Sequence, residues 1–123
     1  MKIAKFEDIK SWQEARKLTA RIYALTMDGQ FARDFALRDQ IRRSAISVMA
    51  NIAEGFNRKT KKDFTNFLTI ALASASETKS HLYIALDLGY IDQQVFDELY
   101  EHLSLISKLI TGFIQYLLGH RDD

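Results

Sequence analysis

The chain contains neither cysteine nor proline among its 123 residues. Without cysteine, a disulfide framework and a thiolate metal site are both excluded. Because proline ends or kinks helices and is common in loops, its absence favours long helices joined by tight connections. Long apolar runs are also missing. The longest, residues 109–118, is about half the length that a helix needs to cross a bilayer.

The overall composition is typical of a soluble globular protein, with 47% hydrophobic and 27% charged residues. We find no linker, low-complexity tract or internal repeat, so the sequence predicts a single domain over residues 1–123. The first dozen residues, MKIAKFEDIKSW, lack the apolar core of a signal peptide. We therefore expect a cytoplasmic protein.

Apolar residues recur at three- and four-residue steps in four segments, at residues 7–26, 33–54, 60–88 and 92–118. Gly29, Gly55 and Gly89 separate these segments, and Thr60 and Asp92 stand where helix-capping side chains are expected. Short connections between long helices force neighbouring helices to be antiparallel. The sequence therefore predicts an all-α fold, an antiparallel up-down-up-down four-helix bundle.

The second predicted helix carries two apolar stripes instead of one. Leu37, Ile41, Ala45, Val48 and Ile52 form the first stripe, and Ile46, Met49, Ala53 and Phe56 form the second. A single groove within a bundle cannot bury both stripes. We therefore expect the chain to assemble as a homo-oligomer.

Positive charge is concentrated around the second connection. Between Arg38 and Lys62 there are seven Lys or Arg residues and two acidic residues, whereas the net charge of the whole chain is +1. We call Arg58, Lys59, Lys61 and Lys62 the basic elbow. Free N–H groups, the helix dipole and lysine side chains together form a good phosphate cradle.

Arg42 and Arg43 would extend this cradle if they project on the same side as the basic elbow. Repeated in an oligomer, such a patch could support salt-dependent binding of RNA or DNA that is indifferent to sequence. The alternative is a solvated turn, with Arg42 and Arg43 paired to Glu54, to Asp39 or to a neighbouring subunit. The stretch from Asp87 to Glu101 has the opposite charge to the basic elbow, with five carboxylates and no Lys or Arg.

No enzyme motif is recognisable: GxGxxG, a nucleophile elbow and HExxH are all absent from the sequence. We therefore expect no catalytic residue and no cofactor. Glu77 and His81, and likewise Glu98 and His102, stand four residues apart, and a helix hairpin about Gly89 could bring both pairs together to hold zinc or a similar ion. Ordinary hydrogen bonding between His and Glu is the simpler interpretation, and no metal is expected.

Three stretches carry a family resemblance: FEDIKSWQEARKLTARIYALT, QIRRSAISVMANIAEGFNRKTKKDFTNFLTIALASASE and LGYID. They resemble the bacterial four-helix-bundle proteins encoded in intervening sequences of 23S rRNA genes. The resemblance covers nearly the whole chain and implies a homopentamer. A related branch comprises accessory variability proteins of diversity-generating retroelements, which associate with a reverse transcriptase and its RNA. That branch is more basic than this chain, and the family usually has proline where Met49 stands.

These observations favour a non-enzymatic, homo-oligomeric binding or accessory protein, pentameric by resemblance, with RNA or another polyanion as its ligand. The first alternative is a protein-interaction scaffold that uses the second apolar stripe. The other alternative is a bundle that binds a divalent metal through Glu77, His81, Glu98 and His102.

Overall fold

The structure, a computed structural model, describes residues 3–119. Over this range the chain forms α-helices and no β-strand, which confirms the predicted all-α class. A 3-10 turn at Phe6–Asp8 precedes five helices. The helices are α1 (Lys10–Leu25), α2 (Gly29–Arg33), α3 (Phe35–Phe56), α4 (Lys61–Asp87) and α5 (Gln93–Gly119).

The four long helices pack side by side, with α3 on α4, α4 on α5, and α1 on both α3 and α5. The α3–α4 pair is antiparallel, because Gly55 approaches Phe64 near one end while Ser44 bonds to Thr78 toward the other. The same reversal holds between α4 and α5, where Tyr83 contacts Phe96 and Phe64 contacts Phe113.

One hydrophobic core lies between these helices, and the predicted first stripe of the second helix is buried in it. The second apolar stripe is only partly exposed to solvent. Met49 and Phe56 are half-buried against the core, whereas Ile46 remains 41% exposed. The largest fully buried side chains come from every long helix: Leu18, Ile22, Ile41, Val48, Ile52, Leu68, Leu82, Leu99, Leu103, Ile106 and Ile110.

The N-terminal part of the fold differs from the expected continuous helix over residues 7–26. Ile9 is extended, with φ −75° and ψ 121°, and is almost fully buried, so α1 begins only at Lys10. The connection before α3 also contains the short helix α2, which the sequence pattern did not predict. Asp34 separates α2 from α3 and caps α3 by accepting a hydrogen bond from the Leu37 N–H at 3.1 Å.

Helix α3 continues through Gly55 and ends at Phe56, two residues beyond the predicted end at position 54. Gly89, in contrast, takes the left-handed conformation with φ 73° just after α4. There the Tyr90 N–H bonds to the Ala85 carbonyl at 2.9 Å and the Gly89 N–H to the Leu86 carbonyl at 3.0 Å. This pair of bonds is a Schellman motif, which satisfies carbonyls left free at a helix end.

Side-chain caps fix the starts of the last two helices. Thr60 accepts a hydrogen bond from the Asp63 N–H at 3.1 Å, and Asp92 accepts one from the Val95 N–H at 2.8 Å. Helix α3 continues without interruption through Met49. Among residues 3–119, no helix has both the length and the apolar character needed to cross a membrane.

Candidate functional site

The basic elbow lies where the chain leaves α3 and enters α4. Thr60 is extended, with φ −118° and ψ 153°, and starts α4 immediately before Lys61. Lys59 and Lys62 are exposed, and neither makes a hydrogen bond or an ion pair with any other residue in the 3–119 range. Two cationic side chains are therefore displayed beside the positive end of a helix.

Arg58 is held more firmly than the lysines. Its Nη2 donates to the Glu54 Oε1 at 2.9 Å, and its guanidinium lies over the Phe67 ring at 4.5 Å from the centroid. The Arg58 side chain is nevertheless 43% exposed, so part of the guanidinium can still meet a ligand. Glu54 and Asp63 are the carboxylates nearest to the basic elbow in sequence, and Glu54 is already paired with Arg58.

Arg42 has a structural role at the end of α1. Its Nε donates to the Thr26 Oγ1 at 2.8 Å and its Nη2 to the Thr26 carbonyl at 3.1 Å. The same guanidinium lies over the Tyr23 ring at 4.5 Å. A cation in this position complements the negative end of the α1 dipole. Arg43 is exposed and lies with Asp39 beside this contact.

The six predicted anion-binding residues therefore form two groups. Arg58, Lys59, Lys61 and Lys62 lie together at the basic elbow. Arg42 and Arg43 lie in the other half of α3, about 20 Å away at 1.5 Å per residue. They do not extend the phosphate cradle, and neither pairs with Glu54, whose partner is Arg58.

The four candidate metal ligands do not come together, contrary to the hairpin arrangement considered from the sequence. His81 pairs with Glu77 at 3.2 Å, but Glu98 pairs with Arg21 of α1 instead of His102. The two histidines face different neighbours, since His81 borders α3 and His102 contacts α1. Within residues 3–119 no three His, Cys, Asp or Glu side chains are placed to hold a metal ion.

His102 instead bonds to a buried carboxylate that sequence spacing did not reveal. Its Nε2 lies 2.9 Å from the Glu14 Oε1, and Lys17 and Lys10 approach the Glu14 Oε2 at 3.2 and 3.5 Å. The hydrogen bond from His102 lowers the pKa of Glu14 most, desolvation opposes it, and the two lysines lower the pKa further. The charged carboxylate is thus stabilised between α1 and α5.

The acidic stretch lies at the opposite end of α4 from the basic elbow, and several of its carboxylates have local partners. Asp92 caps α5, Asp97 accepts from the Gln93 side chain at 2.9 Å, and Arg21 pairs with Glu98. The hydrogen bond from Arg21 is the main cause of the lowered pKa of Glu98. Two of the five carboxylates therefore have local partners, and a third, Glu98, has its partner on α1.

Sequence reasoning also missed a series of arginine–aromatic contacts on α1 and α3. Arg16 lies over Trp12 at 5.8 Å and Arg38 over Phe35 at 4.7 Å, in addition to the contact between Arg42 and Tyr23. The four-residue and three-residue spacings of the first two pairs were a visible signal, since such residues are neighbours on a helix surface. The third pair joins two helices and has no signal in sequence spacing.

Comparisons with family models and with solved structures both found matches to this chain. The family model described as 23S rRNA-intervening sequence protein matches residues 7–112. A crystal structure of a protein of unknown function from the S23 ribosomal protein family of Bacteroides thetaiotaomicron is similar, with a TM-score of 0.78 and 29% sequence identity. The match covers 85% of this chain and 97% of that one. No curated protein sequence matches. Because the family model spans most of the chain, the protein belongs to the 23S rRNA-intervening sequence protein family.

Proposed function

We propose that the chain is a non-enzymatic accessory protein, an antiparallel four-helix bundle that assembles as a homo-oligomer and binds RNA or another polyanion through the basic elbow. The observation that carries this proposal is the pair of exposed lysines, Lys59 and Lys62, at the start of α4. A sequence optimised only for helix stability would place acidic residues there, because cations are disfavoured at the positive end of a helix. An anionic ligand reverses that preference.

The exposed surface of α4 supports the assembly part of the proposal. Between Asp63 and Glu77 this helix has no charged residue, and Ile70 is 48% exposed on its outer side. Its exposed neighbours are small or uncharged: Asn66, Thr69, Ala73 and Ser76. An uncharged face of this kind suits packing against a second copy, and a ring of copies would multiply the weak local charge of each elbow.

The direct test is the salt dependence of binding to a labelled single-stranded RNA. For single strands, the slope of log K against log salt changes by about 0.7 for each phosphate contact. Replacing Lys59 and Lys62 with glutamine should therefore reduce the slope by about 1.4 per elbow and weaken binding at low salt. Lys5→Gln with Lys108→Gln is the matched control, because both lysines are exposed and lie outside the basic elbow.

Two results would overturn the RNA proposal: no binding by the intact oligomer at low salt, or equal losses in the elbow and control variants. The exposed face of α4 favours a second candidate, a protein-interaction scaffold in which the basic elbow is incidental. Ile70→Lys distinguishes the roles of the two surfaces. It should lower the molar mass measured by light scattering, whereas the elbow variant should leave the molar mass unchanged.

A further inference from the structure

Arginines lie over aromatic rings unusually often in this protein. Within residues 3–119 four arginines do so, whereas roughly one cationic side chain per 70–80 residues is usual. Three of these contacts involve only α1 and α3. We call them the arginine–aromatic strip: Trp12 with Arg16, Tyr23 with Arg42, and Phe35 with Arg38.

The three contacts follow one side of the molecule. On α1, Trp12, Arg16, Thr19 and Tyr23 are three or four residues apart and so share a face. That face borders α3, because the Thr19 Oγ1 lies 3.3 Å from the Ala45 carbonyl oxygen and the Tyr23 ring lies under the Arg42 guanidinium.

On α3, Phe35, Arg38 and Arg42 have the same spacing and therefore continue the line. Because Thr26 at the end of α1 bonds to Arg42 while Thr19 lies against Ala45, α1 and α3 are antiparallel. Phe35 therefore lies at one end of the strip and Trp12 at the other. From Trp12 to Tyr23 alone the strip extends about 16 Å along α1.

The strip is accessible and positively charged. Phe35 is 63% exposed, Trp12 and Tyr23 are half-buried, and Arg16 and Arg43 are exposed. The cations on or beside it are Arg16, Lys17, Arg38, Arg42 and Arg43. The acidic residues in or beside the same clefts are Glu7, Glu14, which is paired with Lys17 at 3.2 Å, and Asp39, which is paired with Arg38 at 2.9 Å.

Rings beside guanidinium groups are suited to unpaired nucleobases. A base can stack on an aromatic face or on the plane of an arginine, and the neighbouring cations neutralise the backbone phosphates. Bases in a duplex are stacked on one another and cannot use such a surface. We infer that the strip binds a single-stranded nucleic acid through stacking of its unpaired bases on Trp12, Tyr23 and Phe35.

A protein partner is the competing occupant, because Trp, Tyr and Arg are also enriched in protein interfaces. The distribution of apolar side chains favours the nucleic acid. Of the residues that line the two clefts, the exposed aliphatic side chains are Ala20 and Ile46, whereas Arg16, Lys17 and Arg43 are exposed cations. The excess of cations instead matches a polyanion.

One end of the strip lies toward the end of α3 that leads into the basic elbow. The turn Phe6–Asp8, whose Phe6 packs edge-on against Trp12 at 5.1 Å between centroids, also contacts α3. Since α1 and α3 are antiparallel, the Trp12 end of the strip faces the part of α3 that leads into the elbow. A single strand could therefore contact both surfaces. This inference rests on the proposed polyanion-binding function and adds that the bases are read by stacking.

The test uses the full-length protein and its single tryptophan, Trp12, whose fluorescence reports on this site alone. Three probes are titrated at low salt: a single-stranded oligouridylate, a duplex RNA of equal length, and inorganic polyphosphate, which has charge but no bases. We expect oligouridylate to quench Trp12 in parallel with binding measured by anisotropy of a labelled strand. Polyphosphate should bind without quenching.

Phe35→Ala tests base stacking at a ring other than the fluorescent Trp12. Because Phe35 is 63% exposed, the substitution should change the stability of the fold little. This variant should bind oligouridylate roughly tenfold more weakly, as expected for one lost base–aromatic contact, and polyphosphate with unchanged affinity. Arg16→Gln with Arg43→Gln should weaken the binding of oligouridylate, because these two arginines neutralise backbone phosphates beside the rings. Lys79→Gln with Lys108→Gln is the control for loss of two positive charges elsewhere, because these lysines lie on α4 and α5.

Failure of the inference and failure of the proposed function give different results. If oligouridylate binds with unchanged Trp12 emission and Phe35→Ala has no effect, the strip is not a contact, although the elbow can still bind. If quenching occurs and Lys59→Gln with Lys62→Gln leaves affinity unchanged, the strip binds and the elbow proposal falls. A changed molar mass in the strip variants would identify the strip as a contact between copies and overturn the inference.

Discussion

Gly55 of α3 lies so close to Phe67 of α4 that a Cβ atom added to the glycine would stand 2.7 Å from the Phe67 Cβ. It would also lie 2.9 Å from the Phe64 Cδ1 and 3.3 Å from the Phe64 carbonyl oxygen. The glycine of the N-I-A-E-G stretch is therefore required by the approach of two helices. Its backbone conformation is not left-handed, so flexibility is not its role.

Gly55→Ala should destabilise the protein despite the better helix propensity of alanine. At a helix position with free space around it, replacing glycine with alanine raises the free energy of unfolding by about 0.5–1 kcal/mol. Here the added methyl group must displace a neighbouring backbone and ring, and overpacking of this kind costs roughly 1–3 kcal/mol. We expect urea unfolding to show a net loss of about 1–2 kcal/mol.

Gly112→Ala is the matched control for this change. Gly112 lies inside α5, and a Cβ atom added there would meet nothing within 4 Å. Its replacement should raise the free energy of unfolding by about 0.5–1 kcal/mol. Equal effects of the two substitutions would show that the close approach of α3 and α4 does not determine the choice of glycine at position 55.

Features that depend on local chemistry could be predicted from the sequence. Thr60 and Asp92 cap α4 and α5, and Gly89 ends α4, because each acts on backbone groups a few residues away. The apolar periodicity likewise identified the core stripe of α3. In contrast, the extended conformation of Ile9 depends on a core pocket formed by other parts of the chain, so periodicity alone placed the start of α1 too early.

Features that join distant residues could not be predicted. His102 has a glutamate four residues before it, yet it bonds to Glu14, which is 88 positions away. Arg42 belongs to a basic cluster in sequence, but in the fold it binds the end of α1 through Thr26. In both cases a partner distant in sequence takes the place of a nearby one. His102 bonds to the more buried carboxylate, that of Glu14, and Arg42 bonds to the carbonyl and hydroxyl oxygens of Thr26.

Thr78→Val tests the polar contact between α3 and α4. Thr78 is fully buried, and its hydroxyl lies 2.8 Å from both the Ser44 Oγ and the Ser74 carbonyl oxygen. Valine preserves the shape but removes the hydroxyl, so thermal or urea unfolding should show a loss of about 1 kcal/mol. Adding Ser44→Ala removes the second hydroxyl. The double variant should then lose less than the sum of the two single changes, and strict additivity would contradict the contact.

Glu14→Gln tests the buried carboxylate between α1 and α5. The lowered pKa of Glu14 means that the folded state favours the charged form. This contribution to stability is present above the ordinary carboxyl value of 4.5 and is lost as the pH falls through the lower folded value. At neutral pH the variant should be less stable by about 1 kcal/mol, because hydrogen bonds to a charged group contribute about 1.5–3 kcal/mol and those to a neutral group about 0.5–1.5 kcal/mol.

The difference between Glu14→Gln and the parent protein should shrink as the pH falls below about 4.5, as followed by urea unfolding at stepped pH. Glu101→Gln is the control, because Glu101 is exposed and makes no ion pair with another residue of the described chain. A stability difference for Glu14→Gln that stays constant with pH would show that the charge of Glu14 is not what stabilises the α1–α5 contact.

Thr60→Ala tests the cap that orients the basic elbow. The Thr60 hydroxyl satisfies the Asp63 N–H, and its loss should cost about 1 kcal/mol and loosen the first turn of α4, which carries Lys61 and Lys62. Thr111→Ala is the control, because Thr111 is an exposed threonine inside α5, outside both the basic elbow and the exposed face of α4. Since alanine is the better helix former, the control should be neutral or slightly stabilising. Hydrogen exchange of the Asp63 amide should accelerate in Thr60→Ala alone, and equal exchange in the two variants would show that the cap does not hold the start of α4.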